Sequence, residues 1–170
     1  MTRGPSRGLA LGLVLLAGGA RAEGFAVDDL GTLDFDAAVL TDGTYAAEAT
    51  EPDRLTILCT DCEGMVAIDV LLGESGDGTE GRVRSGETTI ERMEALCQAR
   101  DASCTLEALT IGPAIGWVSV YDGFMAGSTA VLFRDGDMLT IRSMADTRER
   151  AAANGAAVRE ALAARIVGPE

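Results

Sequence analysis

The apolar positions of this chain fall mostly into short alternating runs separated by Gly, Pro and Asp, the texture of strands, and two stretches show helical spacing instead. Segments 37–41 and 44–50 flank Asp42-Gly43, a pair that tolerates positive φ and suits a type I′ turn, so a hairpin is expected there. Pro52-Asp53 breaks the chain before a strand over 55–59. Val66, Ile68, Val70 and Leu72 alternate with Ala67, Asp69 and Leu71, which predicts a strand with one buried face. A Gly-rich acidic loop follows between Gly73 and Gly81.

The first helix is predicted over 88–100. Thr88 with Glu91 makes a capping box, and Ile90, Met93, Leu96 and Cys97 share one face. Strands resume at 105–111, 116–121, 128–134 and 137–143, with Gly112-Pro113 as a tight turn and Asp135-Gly136 as a second hairpin turn. A closing helix is predicted over 147–167, capped by Asp146 with Glu149. Its stripe of Ala151, Gly155, Val158, Leu162 and Ile166 suits close backbone approach, and Gly168-Pro169 ends it. Hairpins mean antiparallel pairing, so the expected fold class is α+β: a largely antiparallel sheet with two helices packed on it. The order strands, helix, strands, helix resembles, in topology, the Mog1/PsbP-like group. That resemblance implies accessory and binding roles more than enzymatic ones.

The amino terminus reads differently. Arg3 and Arg7 precede an apolar run over 9–17, and Ala20-Arg21-Ala22 supplies small residues around a cleavage point, the grammar of a secretory signal peptide. A membrane span needs about 20 predominantly apolar residues; here Gly12, Gly18, Gly19 and Arg21 interrupt the run. Residues 1–22 are therefore expected to be a signal peptide cleaved after Ala22, with a lead-in over 23–36 and one α+β domain over 37–170. No Cys stands where a lipoprotein needs one, so the expected product is periplasmic, without membrane insertion after cleavage.

Charge narrows the partners. The chain has 14 basic and 27 acidic residues; losing Arg3, Arg7 and Arg21 leaves 11 basic residues against the same acids, a net charge of −16. Such a field disfavours nucleic acid and anionic lipid. His is absent, which removes the usual general base and the commonest metal ligand, and with them His-dependent triads and zinc sites.

Four cysteines, Cys59, Cys62, Cys97 and Cys104, read as two structural disulfides in an exported chain. Three connectivities exist, and the local pairs Cys59 with Cys62 and Cys97 with Cys104 are preferred. A continuing strand would place the Cα atoms of Cys59 and Cys62 roughly 10 Å apart, beyond the roughly 7 Å a disulfide tolerates. The chain must then turn at Thr60-Asp61. The competing reading is a redox-active pair, Cys59 and Cys62, as in a thiol-disulfide oxidoreductase. Such pairs sit at a helix N-terminus, whereas Glu63-Gly64 and a strand follow here, and Asp61 and Glu63 oppose a thiolate. A four-thiolate zinc site fits poorly, because Cys97 and Cys104 are seven residues apart and the compartment is oxidising.

Glu74, Asp77 and Glu80 in the Gly-rich loop offer oxygen ligands for a cation such as calcium, without the spacing of an EF-hand; a solvated loop is the competing reading. Trp117, Ser119 and Tyr121 share one strand face and form a candidate binding face, opposite Val118 and Val120. Ser119 and Ser128 have no His to activate them, and the Met residues are scattered as core fillers. No cofactor motif appears. The expectation is an exported, non-enzymatic accessory or binding protein acting through a surface on a protein or small-molecule partner.

Overall fold

The alternation at Ile68 and Val70 becomes the middle of a wide sheet, because both residues are fully buried while Ala67 and Asp69 face the other way. The computed structural model describes residues 24–169, so the signal peptide reading of 1–22 lies outside the described residues. The strands are β1 (Tyr45–Glu51), β2 (Arg54–Cys59), β3 (Ala67–Glu74), β4 (Thr105–Ile111), β5 (Ala114–Tyr121), β6 (Ala126–Arg134) and β7 (Asp137–Ala145). The helices are α1 (Thr79–Arg84), α2 (Ile90–Gln98) and α3 (Arg148–Val167). Seven strands form one sheet in the order β1-β2-β3-β7-β6-β5-β4, and every neighbouring pair is antiparallel. The α+β expectation is met, with the sheet wholly antiparallel and, among the described residues, three α-helices instead of two.

One face carries the core. Leu132, Leu139 and Ile141 lie beneath α3, whose expected stripe of Ala151, Gly155, Val158, Leu162 and Ile166 is buried throughout, and Ile57, Ile68 and Val70 continue the same buried cluster across β2 and β3. Each large aliphatic side chain so covered contributes about 1.5–3 kcal/mol. Gly155 sits over the facing pair Ser128 and Ser143; a Cβ there would stand 3.1 Å from Ser128 Oγ, so the helix approaches the sheet as closely as glycine allows. The cap of α3 is Thr147, which accepts a hydrogen bond from the Arg150 N–H, one residue beyond the expected Asp146.

The lead-in belongs to this core. Leu30 is buried, Phe25, Val27, Leu33 and Phe35 pack against it, and Ala26 N–H donates to Ile166 C=O at 2.9 Å.

Three local expectations are corrected. Residues 37–41 are not a strand: a 3-10 turn, Ala37–Val39, is capped by Asp36, whose carboxylate accepts from the Ala38 N–H. The partner of β1 is β2, joined through Pro52-Asp53, where proline's fixed φ suits the first position of a turn. Asp42-Gly43 makes no hairpin; Gly43 has no positive φ, and Asp42 is drawn instead toward α3. The loop after β3 is shorter than expected, because Asp77 accepts from the Thr79 N–H and α1 begins at once.

The cap of α2 is Thr89, whose hydroxyl accepts from the Arg92 N–H, one position past Thr88. None of its residues is fully buried, and Leu96 is 64 % exposed. This helix rests on edge strand β4, on the face opposite α3.

Candidate functional site

Both disulfides form with the local pairing. Cys59 and Cys62 have Cα atoms 5.7 Å apart, Cys97 and Cys104 5.9 Å, and the described residues hold no free cysteine. The first closes the expected turn after β2. Asp61 accepts from the Thr44 N–H at 2.6 Å and from the Thr44 hydroxyl at 2.7 Å, while Thr60 N–H donates to Thr44 C=O at 2.9 Å. These bonds hold the Asp61 carboxyl below the usual carboxylate range. The second disulfide staples the end of α2 to the entry of β4, and Cys104 is fully buried.

Beside the first disulfide stands a polar cluster that the sequence reading missed. Asp42 accepts from the Tyr45 hydroxyl, the Arg150 guanidinium and the Asn154 amide; Asn154 also donates to the Tyr45 oxygen at 3.0 Å. Arg150 reaches further, donating to the Glu63 carbonyl at 2.9 Å and to Asp146 at 3.3 Å, so one guanidinium ties two loops to α3. Burial pushes the Asp42 carboxyl up, and its three donors outweigh that, leaving it below its ordinary value. Burial and the Asp42 carboxylate push the Tyr45 hydroxyl up to about 12. A signal was present: Asn154 is the chain's single Asn, sits in the middle of a helix that asparagine does not favour, and is 5 % exposed.

For thiol chemistry the surroundings are poor. No helix starts at Cys62, Asp61 Oδ1 lies 3.7 Å from Cys59 Sγ, and the nearby cation Arg150 is engaged with Asp42 and Asp146. Among the described residues, Cys59, Asp61 and Cys62 are the one set of three or more Cys, Asp or Glu whose ligand atoms all fall within 4.8 Å of one another, and the two sulfurs are bonded to each other. Two of the Gly-rich loop's three carboxylates are engaged in hydrogen bonds. Asp77 accepts from the Thr79 N–H at the start of α1, and Glu80 accepts from the Asp135 and Gly136 N–H groups and from Arg84. Burial raises the Glu80 carboxyl, and these hydrogen bonds outweigh it and hold it low.

Trp117, Ser119 and Tyr121 lie together on the sheet face opposite α3, as their spacing requires, with Val118 turned toward the core. Trp117 packs at a tilt on Phe133, ring centroids 5.4 Å apart, and the Tyr121 ring covers Gly127, where a Cβ would stand 2.3 Å from it. Trp117, Ser119 and Leu106 form the floor of a cleft of about 340 Å³ whose wall is Met93 and Leu96 of α2 with Arg100 just after it.

The strand register extends this face beyond what the sequence suggests. One row runs Ala46, Leu58, Ala67, Met144, Gly127, Tyr121 across six strands. The next runs Glu48, Thr56, Asp69, Arg142, Thr129, Ser119, with Asp69 and Arg142 paired at 2.8 Å. A third runs Arg54, Leu71, Thr140, Val131, Trp117, apolar at Leu71, Val131 and Trp117 and charged at its β2 end. Near the Tyr121 end stand the exposed Leu58, Met65 and Phe124, the last wholly in solvent. The helices of this face, α1 and α2, rest on β5 and β4, leaving the rows over β1, β2, β3 and β7 without a covering helix among the described residues.

Comparison with protein-family models, with curated proteins and with solved structures gives no match. The likeness to the Mog1/PsbP-like group therefore rests on element order alone. Among the described residues no helix is long and apolar enough to cross a membrane.

Proposed function

We propose that this chain is an exported accessory or binding protein of the periplasm whose partner docks on the open sheet face that carries Trp117, Ser119 and Tyr121. The observation that carries this reading is the uncovered face itself. One apolar row, with Leu58, Met65 and Phe124 exposed near its strand ends, lies beside a polar row, and beyond that come Leu71, Val131 and Trp117. Apolar side chains left exposed on one face mark interaction surfaces. The two disulfides agree with export into an oxidising compartment. The oxidoreductase reading of Cys59 and Cys62 draws no support from their surroundings, where an anion and not a helix N-terminus faces the sulfurs.

A photo-crosslinking residue placed at position 117 or 121 in exporting cells tests the docking face, with position 160 on the outer side of α3 as the control. Discrete adducts at 117 and 121 and none at 160 are expected. Equal labelling at all three positions, or none, overturns the reading. Mass measurement of the exported product tests the address: the expected first residue is Glu23, and a chain that keeps Met1 refutes it.

A further inference from the structure

β4 is an edge strand, and its outward backbone groups are treated unequally. The β4–β5 hairpin closes through Gly112-Pro113, with Ile111 opposite Ala114. In an antiparallel pair, alternate residues direct N–H and C=O toward the partner strand or away from it. Leu106 N–H points away, since it donates to Glu94 Oε1 at 3.0 Å, so Ala108 and Thr110 share its outward direction. Two side chains of α2 serve the first part of this edge: Glu94 takes the Leu106 N–H, and Gln98, the chain's single Gln, donates to Cys104 C=O at 3.1 Å. They stand in for a neighbouring strand. Beyond them, the outward N–H and C=O groups of Ala108 and Thr110 meet no protein partner among the described residues.

A cleft of about 490 Å³ opens at that stretch, lined by Val83, Ile90, Ala108, Thr110 and Ile115. Unpaired main-chain groups beside an apolar cleft match an extended peptide, whose backbone continues the ladder while alternate side chains enter the cleft. A second copy of this chain fits badly: pairing two β4 edges about Ala108 brings Thr110 of one copy to Leu106 of the other, where Glu94 already sits. Charge selects among foreign segments. Glu87, Glu91 and Glu107 adjoin the lining residues in sequence and are exposed, against Arg92, because Arg82 is engaged with Asp77 and Thr79, and Arg84 with Glu80 and the Pro113 carbonyl.

We propose that the β4 edge at Ala108 and Thr110 is a strand-addition site for an extended partner segment alternating apolar and cationic side chains. It is separate from the Trp117 cleft, at the N-terminal end of α2 where that cleft lies toward the C-terminal end, and stands or falls independently of that surface.

The probe is a capped hexapeptide of alternating valine and arginine, with the valine-glutamate peptide as the charge control, titrated into the mature protein and followed by amide hydrogen exchange. The Val-Arg peptide is expected to slow exchange at Ala108 and Thr110 while leaving β1 unchanged, and the acidic peptide to do neither. Ala108→Pro removes an outward N–H without taking a β4–β5 bond and should weaken the Val-Arg peptide by roughly tenfold or more. Glu107→Gln, which leaves the edge intact, should weaken it by less. Absence of protection at saturating peptide, protection at β1 instead, or equal binding of the acidic peptide overturns the proposal. The wild-type exchange pattern decides even where the proline variant fails to fold.

Discussion

Gly43 lies directly on the sulfur of Cys62: a Cβ on this glycine would stand 2.6 Å from Cys62 Sγ and 2.7 Å from Cys59 Sγ. Its φ is not positive, so what the position demands is an absent side chain and not a left-handed backbone. Asp42 and Thr44 on either side are bonded to Arg150 and to Asp61, so the segment has little freedom to step back.

Gly43→Ala should therefore destabilise the protein by about 1–3 kcal/mol, the usual cost of overpacking. The same substitution in a Cys59→Ala/Cys62→Ala background meets no sulfur and should cost clearly less. Urea unfolding of the four proteins forms a double-mutant cycle. Equal costs in both backgrounds would show that the contact with the disulfide is not what constrains residue 43.

Alkaline pH should weaken the fold through Tyr45. Its hydroxyl is raised from 10.0 to about 12, first by burial and then by the Asp42 carboxylate, so the folded state holds a proton the unfolded state releases. The sign follows: this contribution is complete below pH 10 and is lost as pH rises toward 12. Melting temperatures of the wild type should fall more steeply across that window than those of Tyr45→Phe. Parallel slopes would refute the assignment. At the acid end Asp42, held low, should add stability above its unfolded value near 3.8 that disappears as pH falls further.

The Cys97–Cys104 staple closes a short loop, for which chain-entropy arguments give about 2–3 kcal/mol. Replacing both residues with serine should lower stability by that order and also free the C-terminal end of α2, because Gln98 and Glu94 hang from the stapled segment by their bonds to Cys104 and Leu106. Hydrogen exchange at Leu106 should then accelerate well beyond the global change. Uniform acceleration across the sheet would mean that the staple acts on global stability alone.

The sheet was legible wherever alternation was long and one-sided, as at Ile68 and Val70, or wherever a turn demanded a particular residue. At Asp135-Gly136 both residues have positive φ, as the type I′ expectation requires. Asp42-Gly43 misled because the same dipeptide serves a tertiary purpose: aspartate reaches Arg150 across 108 residues, and glycine makes room for a disulfide. Helix caps slipped by one residue at Thr89 and Thr147, since adjacent Thr or Asp residues offer equivalent oxygens and only the entry geometry chooses. The Trp117, Ser119 and Tyr121 face followed from period two, but its extension to Leu58, Ala67 and Met144 depends on register between strands distant in sequence. Local pattern carries no such information.

Ser143 offers a test with an unusual sign. It is fully buried between β7 and α3, and its hydroxyl oxygen has no hydrogen-bond partner in the structure. A buried hydroxyl left unpaired costs about 1–3 kcal/mol relative to water. Removing it by Ser143→Ala deletes one oxygen, keeps the Cβ that packs near Gly155, and takes away that penalty. The variant should be more stable by about 1 kcal/mol, which for a domain of this size is a rise in melting temperature of roughly 2–4 °C. Ser143→Val, which keeps the site apolar but adds volume where Gly155 already marks the closest approach of α3, should be destabilising instead. If Ser143→Ala lowers the melting temperature, the hydroxyl has a partner, and the seat of α3 on the sheet is polar and not merely small.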